Sequence, residues 1–280
     1  MVNIKRVWVQ AVATISTNSY IKGFVDGKIY KGASKSFCSP GLNCYSCPGA
    51  VTSCPIGALQ AVLGSAKYWY SLYVVGLLGV FGMLLGRWIC GFLCPFGWFQ
   101  ELLYKIKSKK YTIPKWLKLT KYGLLLVFVV LLPLFLTNIV GIGDPAYCKY
   151  ICPAGTLEAG IPLVLLNEGL QQAIGALYYW KLTVLMLVIV ASVVTYRPFC
   201  KVLCPLGAIY ALFNKVSFYQ YKVDSQKCIQ CHGCSDVCKM DVEMFKTANH
   251  SECIRCGDCK PVCPTSAISS GFRLSKVKSL

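Results

Sequence analysis

Histidine is almost missing from this chain. Its 280 residues hold only two, His232 and His250, both in the last quarter. That excludes a b-type haem held between two histidines inside a membrane, and no H-E-x-x-H zinc motif is present. Acidic residues are scarce as well, 11 against 29 basic ones, for a formal net charge of +18. No Walker A sequence occurs, and nothing resembles a paired nucleophile and base. The one dinucleotide-like pattern, Gly141-x-Gly143-x-x-Ala146, follows an apolar run rather than a strand and is broken by Asp144-Pro145. A basic excess can serve nucleic acid, but no helix-turn-helix pattern accompanies it here. The lysines gather beside apolar runs, so nucleic acid is not an expected partner.

What the chain does have is apolar length. Residues 68–89, 122–141 and 180–197 are nearly free of charge and each approaches the ~20 residues a helix needs to cross the hydrocarbon core. Tyr68, Trp69, Tyr70, Trp88, Tyr178, Tyr179, Trp180 and Tyr196 crowd their ends like interfacial belts. Residues 7–24 form a weaker fourth span, interrupted by Gln10, Thr14, Asn18 and Lys22. Residues 160–178 carry Glu168 and Gln171 and read as an interfacial or re-entrant helix. The lysines between 105 and 121 place that loop in the cytoplasm, which puts both termini there too. The expected fold is an α-helical membrane domain (1–222) with about four transmembrane helices. A small α+β bacterial-type 2[4Fe–4S] ferredoxin domain follows it (223–280).

The ferredoxin expectation comes from cysteines. There are 18, too many for a reduced structural core, and they fall in C-x2-C and C-x3-C-P runs typical of metal frameworks. Cys228-x2-Cys231-x2-Cys234-x3-Cys238 is followed by Cys253-x2-Cys256-x2-Cys259-x3-Cys263-Pro264. In this register three cysteines wrap one cluster and the fourth crosses to the other. Cys228, Cys231, Cys234 and Cys263 should therefore hold one [4Fe–4S] cluster, and Cys253, Cys256, Cys259 and Cys238 the second. Lys239 stands where proline is expected, a change that removes no ligand. The opening Cys228-Ile-Gln-Cys231-His232 also spells a c-type haem attachment site. The second copy has Gly257 in the place of His232, which reads as a spare position, so haem is not expected.

Upstream, C-P-x-G recurs at Cys54, Cys94, Cys152 and Cys204. Cys90-x3-Cys94-Pro95 and Cys200-x3-Cys204-Pro205 supply four thiols at the expected cytoplasmic side, the ligand number of one cubane. Proline after the second cysteine suits a helix start, whose free N–H groups would face an anionic cluster. Six further thiols fall on the expected outer side: Cys38, Cys44, Cys47, Cys54, Cys148 and Cys152. Either Cys38 to Cys54 supply all four ligands of an outer cluster, or Cys148 and Cys152 join two of Cys44, Cys47 and Cys54; the second arrangement is preferred. A disulfide is the other chemistry open to this set.

With these motifs the chain resembles the membrane-bound polyferredoxins, among them iron–sulfur subunits linked to nitrate and nitrous-oxide respiration. The resemblance implies a multi-pass protein of the cell membrane that transfers electrons through several iron-bearing [4Fe–4S] clusters. Its expected partners are the lipid bilayer, a ferredoxin-like or other cytoplasmic donor (or the quinone pool), and a membrane or extracytoplasmic redox protein. No residue pattern identifies a quinone or flavin site. The alternative is a membrane metal reductase or a factor that matures a partner's cofactor. Because the apolar core is ~30 Å thick, the two membrane clusters should be drawn inward, or another cofactor should lie between them.

Overall fold

The computed structural model describes residues 4–64, 71–136 and 143–273. Tyr68, Trp69, Tyr70, Gly141 and the end of the expected 122–141 span lie outside them. Among the described residues two helices are long and apolar enough to cross a membrane, Lys115–Phe135 and Ala176–Val194. Only 22% and 17% of their most apolar windows are buried. Side chains such as Leu126, Phe135, Met186, Leu187 and Val190 point outward, where a soluble core helix would hide them. Within the expected 68–89 span the first described helix is Ser71–Leu85, of 15 residues, and a second starts at Trp88.

The expected span over 7–24 is not among the described helices long and apolar enough to cross a membrane. Its helix, Ile4–Thr17, has 14 residues, about 21 Å at the α-helical rise, and stops short of the hydrocarbon thickness. Its buried face is polar: Gln10 donates to the Gly91 carbonyl and Arg6 pairs with Glu101. Residues 160–178 likewise break into the short helices Ile161–Leu166 and Glu168–Gln172.

Two helices widen to π geometry, over Leu125–Leu131 and Thr156–Gly160. Pro133 and Pro162 lie just beyond, and a proline removes one ladder N–H and crowds the carbonyl four residues back. At all four C-P-x-G repeats the cysteine backbone is extended and the proline opens a helix: Pro55–Leu63, Pro95–Tyr104, Pro153–Gly155 and Pro205–Phe213. In two of them the sulfur itself caps the helix, Cys94 Sγ accepting from Gly97 N at 3.4 Å and Cys204 Sγ from Gly207 N at 3.3 Å.

The C-terminal module is tied by two antiparallel strands, β1 (Tyr219–Val223) and β2 (Ile268–Phe272), with Tyr219 opposite Phe272. β1 begins ahead of the expected boundary at 223. The module is gripped by cations from the helical part. Arg87 and Lys121 hold Glu252, while Lys118 and Lys201 hold Asp241 at 3.0 and 2.8 Å. Lys118 and Lys121, expected as loop charges, are thus ion-pair partners of this module. Burial alone would raise the Glu252 carboxyl, but the Arg87 and Lys121 charges hold it down to about 2.

Candidate metal centres

Cys90, Cys94, Cys200 and Cys204 are all buried. They stand close enough that, after burial itself, the charges of Cys200 and Cys90 push the Cys94 thiol up to about 12. Both motifs read R-x2-C-x3-C-P-x-G, and their arginines are exchanged. Arg87 Nη2 donates to the Cys200 carbonyl at 3.1 Å, and Arg197 Nη1 donates to that of Cys90. Arg197 adopts a left-handed backbone (φ 50°) to do so and is anchored by Glu101 at 2.8 Å. Both guanidiniums are wholly buried, and Arg87 Nε has no partner within the protein. Nothing in the sequence reading picked out these arginines, although their identical offset from Cys90 and Cys200 was visible.

The other thiols converge on a cavity of about 590 Å³. Four cysteines line it: Cys44, Cys54, Cys148 and Cys152. Burial raises Cys152 well above the usual thiol range, and the charges of Cys148 and Cys44 raise it further. Cys38 and Cys47 are not in the lining. Cys47 Sγ instead approaches Asn18 Oδ1 at 3.7 Å, and Cys38 is paired by its backbone to Ser53. A Cβ added at Gly57 would stand 3.9 Å from Cys148 Sγ, and one at Gly155 would stand 3.7 Å from Cys44 Sγ and 4.0 Å from Cys152 Sγ. At Gly57 and Gly155 a side chain would project among these sulfurs, into the space a bulky thiolate-bound group requires. Glu158 accepts from Cys44 N at 2.8 Å, and burial raises its carboxyl to about 7.

In the C-terminal module Cys228, Cys231, Cys234 and Cys263 line one hollow, together with His232 and Phe245. The charges of Cys256, Cys253 and Cys238 all raise Cys259, whose largest perturbation is burial, so these four form the second group. The two halves repeat their backbone. Gln230 and Arg255, His232 and Gly257, and Asp241 and Ser266 occupy equivalent places and all have positive φ. His232 therefore sits in a turn that the motif itself demands, with its ring edge-on to Phe245 at 4.7 Å.

The sets touch in sequence. Gly91, inside the Cys90–Cys94 loop, lies so close to the chain after Cys253 that a Cβ there would be 2.5 Å from the Ile254 carbonyl. Gly41 packs equally tightly on Leu93 and Cys94, where a Cβ would meet Leu93 O at 2.7 Å. The segment that carries Cys44 and Cys54 is thus packed onto the segment of Cys90 and Cys94. Tyr147 spans the two sets: its N–H donates to Gln60 Oε1 and its hydroxyl donates to the Leu203 carbonyl beside Cys204. Tyr147 and Tyr210, both fully buried, feel thiols of both sets. Among the described residues no three His, Cys, Asp or Glu side chains close on one point as a single metal ion requires. A cubane spreads its thiolates over four separate irons and needs this wider spacing.

A 4Fe-4S binding domain family matches residues 67–114, 122–161 and 178–222, and a second 4Fe-4S binding domain matches 247–269. The uncharacterized protein MJ0750 of Methanocaldococcus jannaschii is 30% identical over 204 residues, which is 70% of this chain and 77% of that protein. YccM of Escherichia coli, whose name assigns it to electron transport, is 24% identical over 60% of this chain and 45% of its own length. The regulatory protein NosR of Stutzerimonas stutzeri is 26% identical over 61% of this chain, but that is 22% of NosR. No solved structure matches the chain.

Proposed function

The chain belongs to the polyferredoxin-like family of 4Fe–4S-binding proteins, and from that premise we propose that it is a membrane electron conduit with four clusters in line. The contiguity of the four thiol sets carries this reading. Cys228, Cys231, Cys234 and Cys263 hold the first cluster; Cys253, Cys256, Cys259 and Cys238 the second. Cys90, Cys94, Cys200 and Cys204 hold the third, and Cys44, Cys54, Cys148 and Cys152 the fourth. Bound there, [4Fe–4S] clusters supply one-electron storage. The chain supplies spacing and dryness: Gly91 and Gly41 bring neighbouring sets into backbone contact, and the buried Tyr147 and Tyr210 exclude water between the last two.

Cys231 is the exposed thiol of the set, so a soluble partner exchanges electrons at the first cluster. The ion pairs of Lys118 and Lys121 with Asp241 and Glu252 support a ferredoxin module on the same side as the lysine-rich loop, with both termini cytoplasmic. The far partner is a redox protein at or across the membrane. Iron analysis of the purified chain tests the reading: four cubanes give ~16 irons. A value near eight would leave only an anchored ferredoxin. Reduction of added metal ions by the isolated protein, without any protein partner, would instead favour a metal reductase.

A further inference from the structure

Each C-P-x-G repeat carries, at the sixth position after its cysteine, a side chain that leaves its own repeat: Gln60, Gln100, Glu158 and Tyr210. Tyr210 donates to the Pro40 carbonyl and Glu158 accepts from Cys44 N. The two glutamines do the same thing twice. Gln100 Oε1 accepts from Phe199 N at 3.1 Å while its Nε2 donates to Phe96 O at 3.2 Å and to Cys200 Sγ at 3.3 Å. Gln60 Oε1 accepts from Tyr147 N at 2.9 Å while its Nε2 donates to Ile56 O at 3.2 Å and to Cys148 Sγ at 3.1 Å. Both side chains are fully buried. Their orientation is fixed, because only the amide oxygen can face a backbone N–H, which leaves the NH2 to face the sulfur.

Each buried amide is held at both its oxygen and its nitrogen, and each sulfur it reaches is the first cysteine of the motif across the site. We propose that Gln100 and Gln60 are positioning residues that set the potentials of the third and fourth clusters, each through one N–H···S bond to the opposite motif. Reduction adds negative charge that is shared by the sulfurs, and an aimed N–H stabilises that charge, so each bond raises the potential of its own cluster. The inference rests on the cluster assignment made above.

The test is an EPR-monitored redox titration of the full chain in detergent. Gln100→Leu removes both ends of the bridge, whereas Gln100→Glu keeps the acceptor for Phe199 N–H and loses the donor to sulfur. Both should move the third cluster to a more negative potential and leave the fourth unchanged, and the Gln60 pair should do the reverse. Unchanged potentials in both variants, or a shift in Gln100→Leu alone, overturns the proposal. Wild-type protein labelled with amide-15N glutamine gives an answer free of folding effects. A 15N coupling to the reduced third cluster is expected, identified by its disappearance in the Cys90→Ser, Cys204→Ser protein. Its absence at ~16 irons per chain overturns the glutamine role and leaves the conduit standing. An iron count near eight sinks the conduit instead.

Discussion

Around Cys90, Cys94, Cys200 and Cys204 the chain places two buried arginines, and all four thiols are shut away. Around Cys44, Cys54, Cys148 and Cys152 it places the Glu158 carboxyl, Lys181 donating to the Cys148 carbonyl, and an open cavity. Cys44 and Cys148 are only half-buried. Both sets are built by the same C-P helix starts and the same glutamine bridge. What differs is the residue three places before the first C-x3-C cysteine: arginine at 87 and 197, proline at 145. One scaffold thus yields a sealed, cation-flanked site and a more accessible one.

The sharpest way to break this comparison is to remove one site at a time. Cys90→Ser with Cys204→Ser should lose about four of ~16 irons, and so should Cys54→Ser with Cys152→Ser, each sparing the other site's EPR signal. A simultaneous collapse of both signals would mean that the sets do not bind separately. Next in size is the arginine side. Arg87→Met takes one of two cations from the buried Glu252 and the donor from the Cys200 carbonyl, and should cost about 3–5 kcal/mol in thermal or denaturant unfolding. Lys181→Met, at the half-buried rim of the other site, should cost about 1 kcal/mol. Equal losses would erase the distinction. A smaller effect separates the sites by access: a membrane-permeant iron chelator should bleach the site at Cys44, Cys54, Cys148 and Cys152 first, followed by optical and EPR decay. The smallest effect is none at all. Cys38→Ser with Cys47→Ser should keep the full iron count, and a loss of about four irons would return these thiols to the ligand set.

Much of this was legible in advance. C-x2-C-x2-C wraps its ligands within a dozen residues, so Cys228–Cys238 and Cys253–Cys263 could be read as a ferredoxin from spacing alone. The equivalence of His232 and Gly257, which argued against haem, reappears as a shared left-handed turn. The spans 122–141 and 180–197 were readable because a long uncharged run has few places to go but lipid. In the helix Ile4–Thr17 two polar residues, Arg6 and Gln10, face inward; hydropathy counts such residues but cannot tell which way they face.

The sequence by itself determined the donor chemistry. Eighteen cysteines, four C-P-x-G helix starts and almost no histidine leave iron–sulfur ligation as the reading, since these features act through local backbone geometry. Only the tertiary structure decided which four of Cys38, Cys44, Cys47, Cys54, Cys148 and Cys152 line one cavity. Gln60 meets Cys148 across 88 residues and Gln100 meets Cys200 across 100, and no spacing rule reaches that far. It also packed Gly41 onto Leu93 and Cys94 and set Tyr147 between the two membrane sets. Helix packing sets those meetings, and it depends on how whole faces interlock rather than on any one motif.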